Sequence, residues 1–139
     1  MVVRLLSQLH VRLYRLAGGR FVGRIRKAPV LLLTTTGRRS GARRTTPLLY
    51  LRDGDGLAIV ASFGGSPTHP AWYLNLTAHP EVRVQVGRSR FAATARTATP
   101  AERERLWPQL VELYPGYEGY QEKTSREIPV VLLESSDPA

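Results

Sequence analysis

Three strand-like runs follow one another in residues 30–62, which read VLLLTTTGRRSGARRTTPLLYLRDGDGLAIVAS. The first, from Val30 to Thr36, is rich in β-forming side chains and is stopped by Gly37. The second runs from Thr45 to Arg52, and the third from Leu57 to Ser62. Between these two, Asp53-Gly54-Asp55-Gly56 is a strong hairpin signal. Because links this short cannot join parallel neighbours, we expect antiparallel pairing.

The rest of the chain predicts further strands with short helices inserted. We expect a loop at 63–67, a helix at 70–78, strands at 82–86 and 91–98, a helix from Thr99 to about Tyr114 and a strand at 128–134. This amounts to about six strands in a mainly β protein of the α+β class. A small antiparallel barrel would bury the apolar faces of these strands and remove their exposed edges.

An amphipathic helix is predicted for residues 2–17. Five leucines fall within one quadrant of a helical projection, Arg4, Arg12 and Arg15 lie on another side, and Gly18-Gly19 ends the pattern. Such a helix can lie on an anionic membrane, or it can pack its leucines on the domain. We therefore divide the chain into a basic helix with its linker, residues 1–27, and a barrel domain, residues 28–139.

Composition limits the classes of protein that this chain can represent. Its 139 residues, 42% of them hydrophobic, suffice for one domain with a real core. The chain has no cysteine, which excludes disulfides, thiolate metal sites and cysteine nucleophiles. No apolar run approaches the roughly 20 residues of a membrane span. We expect a cytoplasmic protein, open to peripheral contact with the inner face of the plasma membrane.

The positive charge is confined to the first third of the chain. Residues 1–52 carry twelve Arg or Lys and no acidic residue, whereas residues 53–139 carry eight basic and eleven acidic residues. The net charge of +9 therefore arises entirely before residue 53. This asymmetry indicates an anionic partner, which could be nucleic acid, a lipid surface, or a phosphorylated or polycarboxylate ligand.

The turn Gly37-Arg38-Arg39-Ser40-Gly41-Ala42-Arg43-Arg44 is the strongest candidate site within that third. Its two glycines allow a tight bend that exposes backbone amides. Its four arginines supply forked guanidinium groups suited to phosphate and carboxylate, and Ser40 adds a hydroxyl. These residues predict an anion-binding hairpin, with a solvated basic turn as the alternative.

Two later segments carry aromatic side chains. A loop at Ser62-Phe63-Gly64-Gly65 leads into a predicted helix containing Trp72 and Tyr73, which could flank a planar ring or belong to the core. Tyr114, Tyr117 and Tyr120 recur at a spacing of three, but the intervening Pro and Gly residues favour a loop or a broken helix. That segment could be a lid offering phenol donors or a packed aromatic cluster.

Familiar catalytic motifs are missing from the sequence. There is no dinucleotide or Walker loop, no zinc-protease motif and no nucleophile elbow. His10, His69 and His79 lack ligand spacing, so we predict no metal and assign them surface or cap roles. The carboxylates form no defensible acid–base pair. Any enzymatic chemistry is therefore expected to belong to an organic cofactor.

Taken in order, these segments resemble the deazaflavin-dependent nitroreductase family of actinobacteria. The resemblance rests on Leu31–Gly41, Arg44–Leu48, Trp72–Leu76, Trp107-Pro108, Tyr114-Pro115 and Ile128-Pro129. It implies an antiparallel split β-barrel of the FMN-binding type that holds coenzyme F420 in its reduced form, F420H2. The phosphate and polyglutamate tail of F420 would account for the acid-free, arginine-rich first third.

The same resemblance implies the site residues. Arg38, Arg39 and Ser40 would contact the tail, and Tyr117 would lie at the deazaflavin ring. The remainder of the cofactor site would be lined by Arg44, Thr45, Thr46, Pro47, Leu48, Leu49, Val60, Ala61, Ser62, Phe63, Ala71, Trp72, Tyr73, Leu74 and Asn75. The family often has Lys where this chain has Arg39, and it can have Lys in place of Phe63, which would remove one tail contact.

The implied reaction is hydride transfer from reduced F420 to a quinone, a nitroaromatic or a similar electron-poor acceptor. Tyr117, Tyr120 and Tyr114 are the expected catalytic residues, with Tyr117 or Tyr120 bonding the acceptor oxygen. The protein would be a monomer or a homodimer. FMN is the alternative cofactor, although its single phosphate needs fewer arginines. A nucleic-acid binder is disfavoured because the aromatics are not interleaved with the arginines, and a membrane-surface adaptor using residues 1–27 stays open.

Overall fold

The computed structural model describes residues 29–136 of the chain, and all its strands belong to one antiparallel sheet. The strands are β1 (Val30–Thr36), β2 (Arg43–Leu49), β3 (Leu51–Asp53), β4 (Gly56–Val60), β5 (Glu81–Val86), β6 (Ser89–Thr97) and β7 (Val130–Ser135). The α-helices are α1 (Ala71–Ala78), α2 (Pro100–Leu113) and α3 (Gly116–Lys123), and a single 3-10 turn covers Phe63–Gly65.

One continuous segment forms both ends of this sheet. The strand order is β2-β1-β5-β6-β7-β4-β3, and β2 and β3 are separated in the chain only by Tyr50. β2 pairs with β1 up to Val30↔Leu49, and β3 pairs with β4 from Leu51↔Ala58. The sheet must therefore curl until its two ends meet, which confirms the predicted antiparallel split β-barrel.

Alternation along the strands creates two cores. Leu31, Leu33 and Ile59 point into the barrel together with Val84 and Leu133. The opposite face of β4 and β7 packs under the helices, and its cluster contains Ala58, Val60, Leu106, Leu110, Tyr117, Ile128, Val130 and Leu132. Because successive side chains of a strand point to opposite faces, β4 and β7 are apolar on both faces.

Two local features predicted from the sequence are confirmed, the hairpin turn at Asp53–Gly56 and the N-terminal cap of α2. The Asp53↔Gly56 pair closes the predicted hairpin, and Gly54 adopts the positive φ of 59° that such turns require. Thr99 caps α2 with a capping box, since its side chain accepts from the Glu102 amide and the Glu102 carboxylate accepts from the Thr99 amide.

Two expectations are corrected. The predicted single strand at residues 45–52 is divided at Tyr50, where the chain leaves β1 for β4, so the described residues contain seven strands rather than about six. The segment after Tyr114 is a regular helix, α3, and not a loop or a broken helix. Pro115 is its N-cap and Gly116 its first residue, and burial of Tyr117 outweighs the cost of roughly 1 kcal/mol for Gly119 inside a helix.

The predicted amphipathic helix at residues 2–17 lies outside the described residues. Between residues 29 and 136, no helix combines the length and the hydropathy required to cross a bilayer.

Candidate functional site

The arginine-rich turn is a compact loop at one end of β2. The Gly37 amide donates to the Ala42 carbonyl at 2.7 Å, and the Gly41 amide donates to the Gly37 carbonyl at 2.9 Å. Gly41 takes a φ of 75°, which glycine adopts without steric cost. The Ser40 hydroxyl accepts from the Ala42 amide at 3.1 Å. The loop is thus held by its own backbone.

Asn75 ties this turn to α1. Its side-chain oxygen accepts from the Arg38 backbone amide at 3.1 Å and from the Arg38 guanidinium at 3.3 Å. Its side-chain nitrogen donates to the Thr35 hydroxyl at 3.2 Å. Asn75 and Thr35 are both buried. The carboxamide of Asn75 is therefore committed to fixing the start of the turn.

The guanidinium groups of the turn are exposed and available to an anion. Within residues 29–136, Arg38, Arg39, Arg43 and Arg44 form no ion pair, whereas Arg96 and Arg105 elsewhere on the barrel are bound to carboxylates at 2.7–2.8 Å. No acidic residue precedes Asp53 that could neutralise them. A donor set of this kind fits a phosphate or a polycarboxylate ligand.

At its other end, β2 flanks the split in the barrel. The Tyr50 amide donates to Pro29 at 3.1 Å, so even-numbered residues of β2 direct their backbone groups toward β1. The register therefore directs the backbone groups of Pro47 and Leu49 away from β1. Pro47 has no amide hydrogen to donate on that side, and proline is found in sheets mainly at such edges. β3 pairs with β4 only as far as Leu51↔Ala58, and in the described residues β2 pairs with no strand other than β1. The barrel is therefore split between Leu49 of β2 and Val60 of β4, and this gap is the split.

Tyr117 borders this gap from α3. Its ring lies in the same buried cluster as Val60, against which Leu49 also packs. Burial raises the pKa of Tyr117 to about 12, aided by the nearby phenols of Tyr114 and Tyr120, so the side chain stays protonated at neutral pH. Its hydroxyl makes no hydrogen bond to any residue of the described part of the chain, which leaves a phenol donor available beside the split.

Tyr114 and Tyr120 form a hydroxyl pair on the outer side of Tyr117. Their oxygens are 3.1 Å apart, and the Tyr114 ring stands edge-on to Tyr117 with centroids 5.0 Å apart. The hydrogen bond from Tyr114 raises the pKa of Tyr120. The three predicted tyrosines are therefore together, with one ring buried and two more exposed.

The structure divides the predicted lining residues between the two faces of the sheet. Leu49 and Val60 face the outer cluster, whereas Leu48, Ala61 and Trp72 face the barrel interior. Trp72 is 8% exposed, in agreement with the core interpretation of this residue. Of the predicted residues that remain on β2, Thr46 lies on the inner face and the Thr45 hydroxyl is hydrogen-bonded to that of Thr34. On α1, the Tyr73 hydroxyl is hydrogen-bonded to that of Thr97, Ala71 is exposed and Leu74 is half-buried.

Phe63 is the strained residue of the region. It lies three residues after the end of β4 with a φ of 46°, and the residue is 55% exposed. Gly64 and Gly65 continue the left-handed stretch with φ of 63° and 80°. Sequence reasoning predicted a loop here but not its handedness. A bulky residue in this conformation is rare and costs roughly 1–3 kcal/mol.

Arg126 is a residue of this region that sequence reasoning missed. Its guanidinium donates to the carbonyls of Ala61, Ser62 and Ser66 and meets His69 Nδ1 at 3.1 Å. Nothing in the sequence around it signals this role, because its partners lie about 60 residues away. His69 is half-buried beside Arg126 and Tyr73, and its contact with Arg126 was not predicted from the sequence.

Other concave or polar features lie apart from this region. A cleft of about 360 Å³ near the hairpin of β3 and β4 is lined by Asp53, Arg96, Glu102 and Glu134, and ion pairs already engage these side chains. Among the described residues, no group of three or more His, Asp or Glu side chains could hold a metal ion.

Comparison with known proteins places this arrangement in a family. Residues 6–135 match the model of the family described as F420H(2)-dependent quinone reductase. An F420H(2)-dependent quinone reductase of Mycobacterium tuberculosis is 48% identical over 132 residues, covering 92% of this chain and 89% of the relative.

Two solved structures are similar to the described fold at 47% identity. One, described as the structure of an F420-H2 dependent reductase, has a TM-score of 0.70 and covers 76% of this chain and 94% of the other. A second, described as a domain-swapped dimer, has a TM-score of 0.71 and covers 76% and 80%. The chain belongs to the F420H(2)-dependent quinone reductase family, whose cofactor is reduced coenzyme F420.

Proposed function

We propose that this protein transfers a hydride from reduced F420 to a quinone, with the cofactor lying along β2. The observation that carries the proposal is the order of features on that strand. The exposed arginine turn stands at one end, and the split bordered by Tyr117 stands at the other. Seven residues of strand span about 20 Å, which suits a ligand with a planar ring and a long anionic tail.

Arg39, Arg43 and Arg44 would hold the phosphate and carboxylates of the tail. Arg38 would take part from a position fixed by Asn75. At the split, the backbone groups of Leu49 and Val60 and the Tyr117 hydroxyl would bond the polar edge of the ring system. When bound, reduced F420 supplies a hydride from C5 of its deazaflavin.

The tyrosine pair would serve the acceptor. The Tyr120 hydroxyl, bonded to that of Tyr114, can donate a proton to the reduced quinone oxygen and recover one through its partner. Tyr117 would act as a hydrogen-bond donor only, because its hydroxyl, unlike that of Tyr120, has no hydrogen-bonded partner within residues 29–136 from which to recover a proton. The exposed ring of Phe63 would help exclude water from the acceptor side.

Cofactor titration tests the tail assignment. Arg39→Gln combined with Arg44→Gln should weaken F420 binding by at least about tenfold and flatten its dependence on salt. The matched control is Arg88→Gln combined with Arg90→Gln, which removes the same charge from exposed arginines at the hairpin between β5 and β6. Equal losses from both pairs would leave only nonspecific attraction and overturn the assignment.

Acceptor and cofactor choice are tested with the wild-type protein. Oxidation of reduced F420 is followed with menadione and, in parallel, with a nitroimidazole; the quinone is the expected acceptor because of the family to which the chain belongs. Binding of FMN without binding of F420 would refute the proposal. A homodimer is supported by the domain-swapped relative, and sedimentation analysis would decide between it and a monomer.

A further inference from the structure

Arg126 is bonded entirely to uncharged acceptors. Its Nε donates to the Ser66 carbonyl at 2.8 Å, and its terminal nitrogens donate to the Ser62 carbonyl at 2.8 Å and the Ala61 carbonyl at 3.3 Å. The remaining contact is His69 Nδ1 at 3.1 Å. Within residues 29–136, Arg126 forms no ion pair, so the side chain is committed to shaping the loop after β4.

The backbone of Arg126 is itself anchored to α3. Gln121 donates from its side-chain nitrogen to the Arg126 carbonyl at 2.8 Å, and its oxygen accepts from the Ile128 amide at 2.8 Å and from Arg103 at 3.0 Å. Arg126 therefore links the helix carrying Tyr117 and Tyr120 to the loop carrying Ser62 and Phe63. The loop continues the chain from Val60, which borders the split, and Tyr117 lies in the same buried cluster as Val60.

The loop held in this way is the strained one. Phe63, Gly64 and Gly65 take positive φ in succession, and the exposed Phe63 ring offers no burial to offset the strain. Within the loop, only short-range backbone bonds close the turn, from the Gly65 amide to Ser62 and from the Ser66 amide to Phe63. A strained backbone conformation persists only where several surrounding contacts hold it. Arg126 supplies such contacts, because it bonds the carbonyls on both sides of the turn.

We infer that Arg126 is a positioning residue that holds the Phe63–Gly65 turn in its left-handed form and thereby preforms one wall of the cofactor cleft. This inference rests on the proposed function for the identity of the ligand. A planar guanidinium is required because it reaches several carbonyls at once, which a lysine ammonium at the end of a flexible stem cannot do. Without it, F420 must order the turn on binding and loses affinity accordingly.

The test compares Arg126→Lys with Arg96→Lys. Arg96 is a suitable control because its guanidinium also bonds several oxygens, those of Glu102 and Glu134, and it contacts neither the loop nor Gln121. Arg126→Lys should accelerate hydrogen exchange of the Gly65 and Ser66 amides in the cofactor-free protein and weaken F420 binding in calorimetry by about tenfold. Arg96→Lys should lower the melting temperature without either effect.

A double-mutant cycle addresses strain directly. Glycine adopts the left-handed conformation freely, so Arg126→Lys should destabilise a Phe63→Gly protein less than it destabilises the wild type. Additive effects would contradict the inference, as would unchanged exchange and affinity in Arg126→Lys. If Arg126→Lys does not fold, His69→Phe removes one acceptor while keeping a ring against Tyr73; it should raise exchange at Gly65 and Ser66, and unchanged exchange would overturn the inference.

The exchange measurement separates this inference from the proposed function. If wild-type protein does not bind F420, the proposed function fails. The exchange rates then still report whether Arg126 holds the turn, because they require no ligand.

Discussion

Gly65→Ala should separate α3 from the loop that follows β4, and its cost can be worked from the contacts of Gly65. A Cβ at this position would lie 2.7 Å from the Tyr120 carbonyl oxygen and 3.0 Å from the Tyr120 Cα, both of them backbone atoms of α3. The φ of 80° adds about 1–2 kcal/mol for a residue with a side chain. Overpacking against backbone adds about 1–3 kcal/mol, so the free energy of unfolding should fall by about 2–5 kcal/mol.

Gly64→Ala is the matched control. Gly64 also has a positive φ, 63°, but a Cβ there would meet nothing within 4 Å. It should therefore cost only the conformational part, about 1–2 kcal/mol. At about 4 °C per kcal/mol for a domain of this size, the melting temperature should fall by about 8–20 °C for Gly65→Ala and by about 4–8 °C for Gly64→Ala.

Equilibrium urea unfolding and thermal melting of both variants provide the assay. Turnover with F420H2 and menadione should fall more in Gly65→Ala than in Gly64→Ala, because displacement of α3 moves Tyr117 and Tyr120 away from the split. Equal destabilisation by the two substitutions would refute the close approach between Gly65 and the Tyr120 backbone, and with it the packing of α3 against this loop.

Three further predictions follow from individual side chains. Because burial raises the pKa of Tyr117 from 10.0 to about 12, its phenol favours the folded state below pH 10 and loses that contribution as the pH rises toward 12. Absorbance titration of Tyr117→Phe should lack one tyrosine that ionises near pH 12 in the wild type. Burial, together with the charge of Arg126, lowers the pKa of His69 below its ordinary value of 6.5. The neutral imidazole therefore contributes its full stabilisation of the folded state above pH 6.5, and this contribution declines as the pH falls below that value. Urea unfolding between pH 5 and 8 should show the free energy of unfolding falling toward acid pH in the wild type, and falling less in His69→Phe. Asn75→Ala leaves the Thr35 hydroxyl and the Arg38 amide without their hydrogen-bond partner. The free energy of unfolding in urea should fall by about 1–3 kcal/mol, and F420 binding should weaken. An unchanged affinity for F420 would show that the arginine-rich turn does not depend on α1.

Much of the fold was predictable because its signals are local. The hairpin at Asp53–Gly56 depends on glycine conformation, and the start of α2 depends on bonds between Thr99 and Glu102, three residues apart. Family resemblance supplied the split-barrel type and the cofactor. The handedness of the turn at Phe63 and the helical state of residues 116–123 were not predictable in this way, since both depend on packing between α3 and the loop after β4.

The sequence by itself determined the antiparallel strand pattern, the acid-free basic third and the arginine turn, because alternation, charge and glycine positions can be read along the chain. Only the tertiary structure decided that β2 and β3 close the two ends of one sheet, and that Leu48 and Leu49 therefore serve opposite faces. It also brought Arg126 to the carbonyls of Ala61 and Ser62, more than 60 residues away. Such contacts follow from strand order and register, which depend on the packing of the whole barrel rather than on any local run of residues.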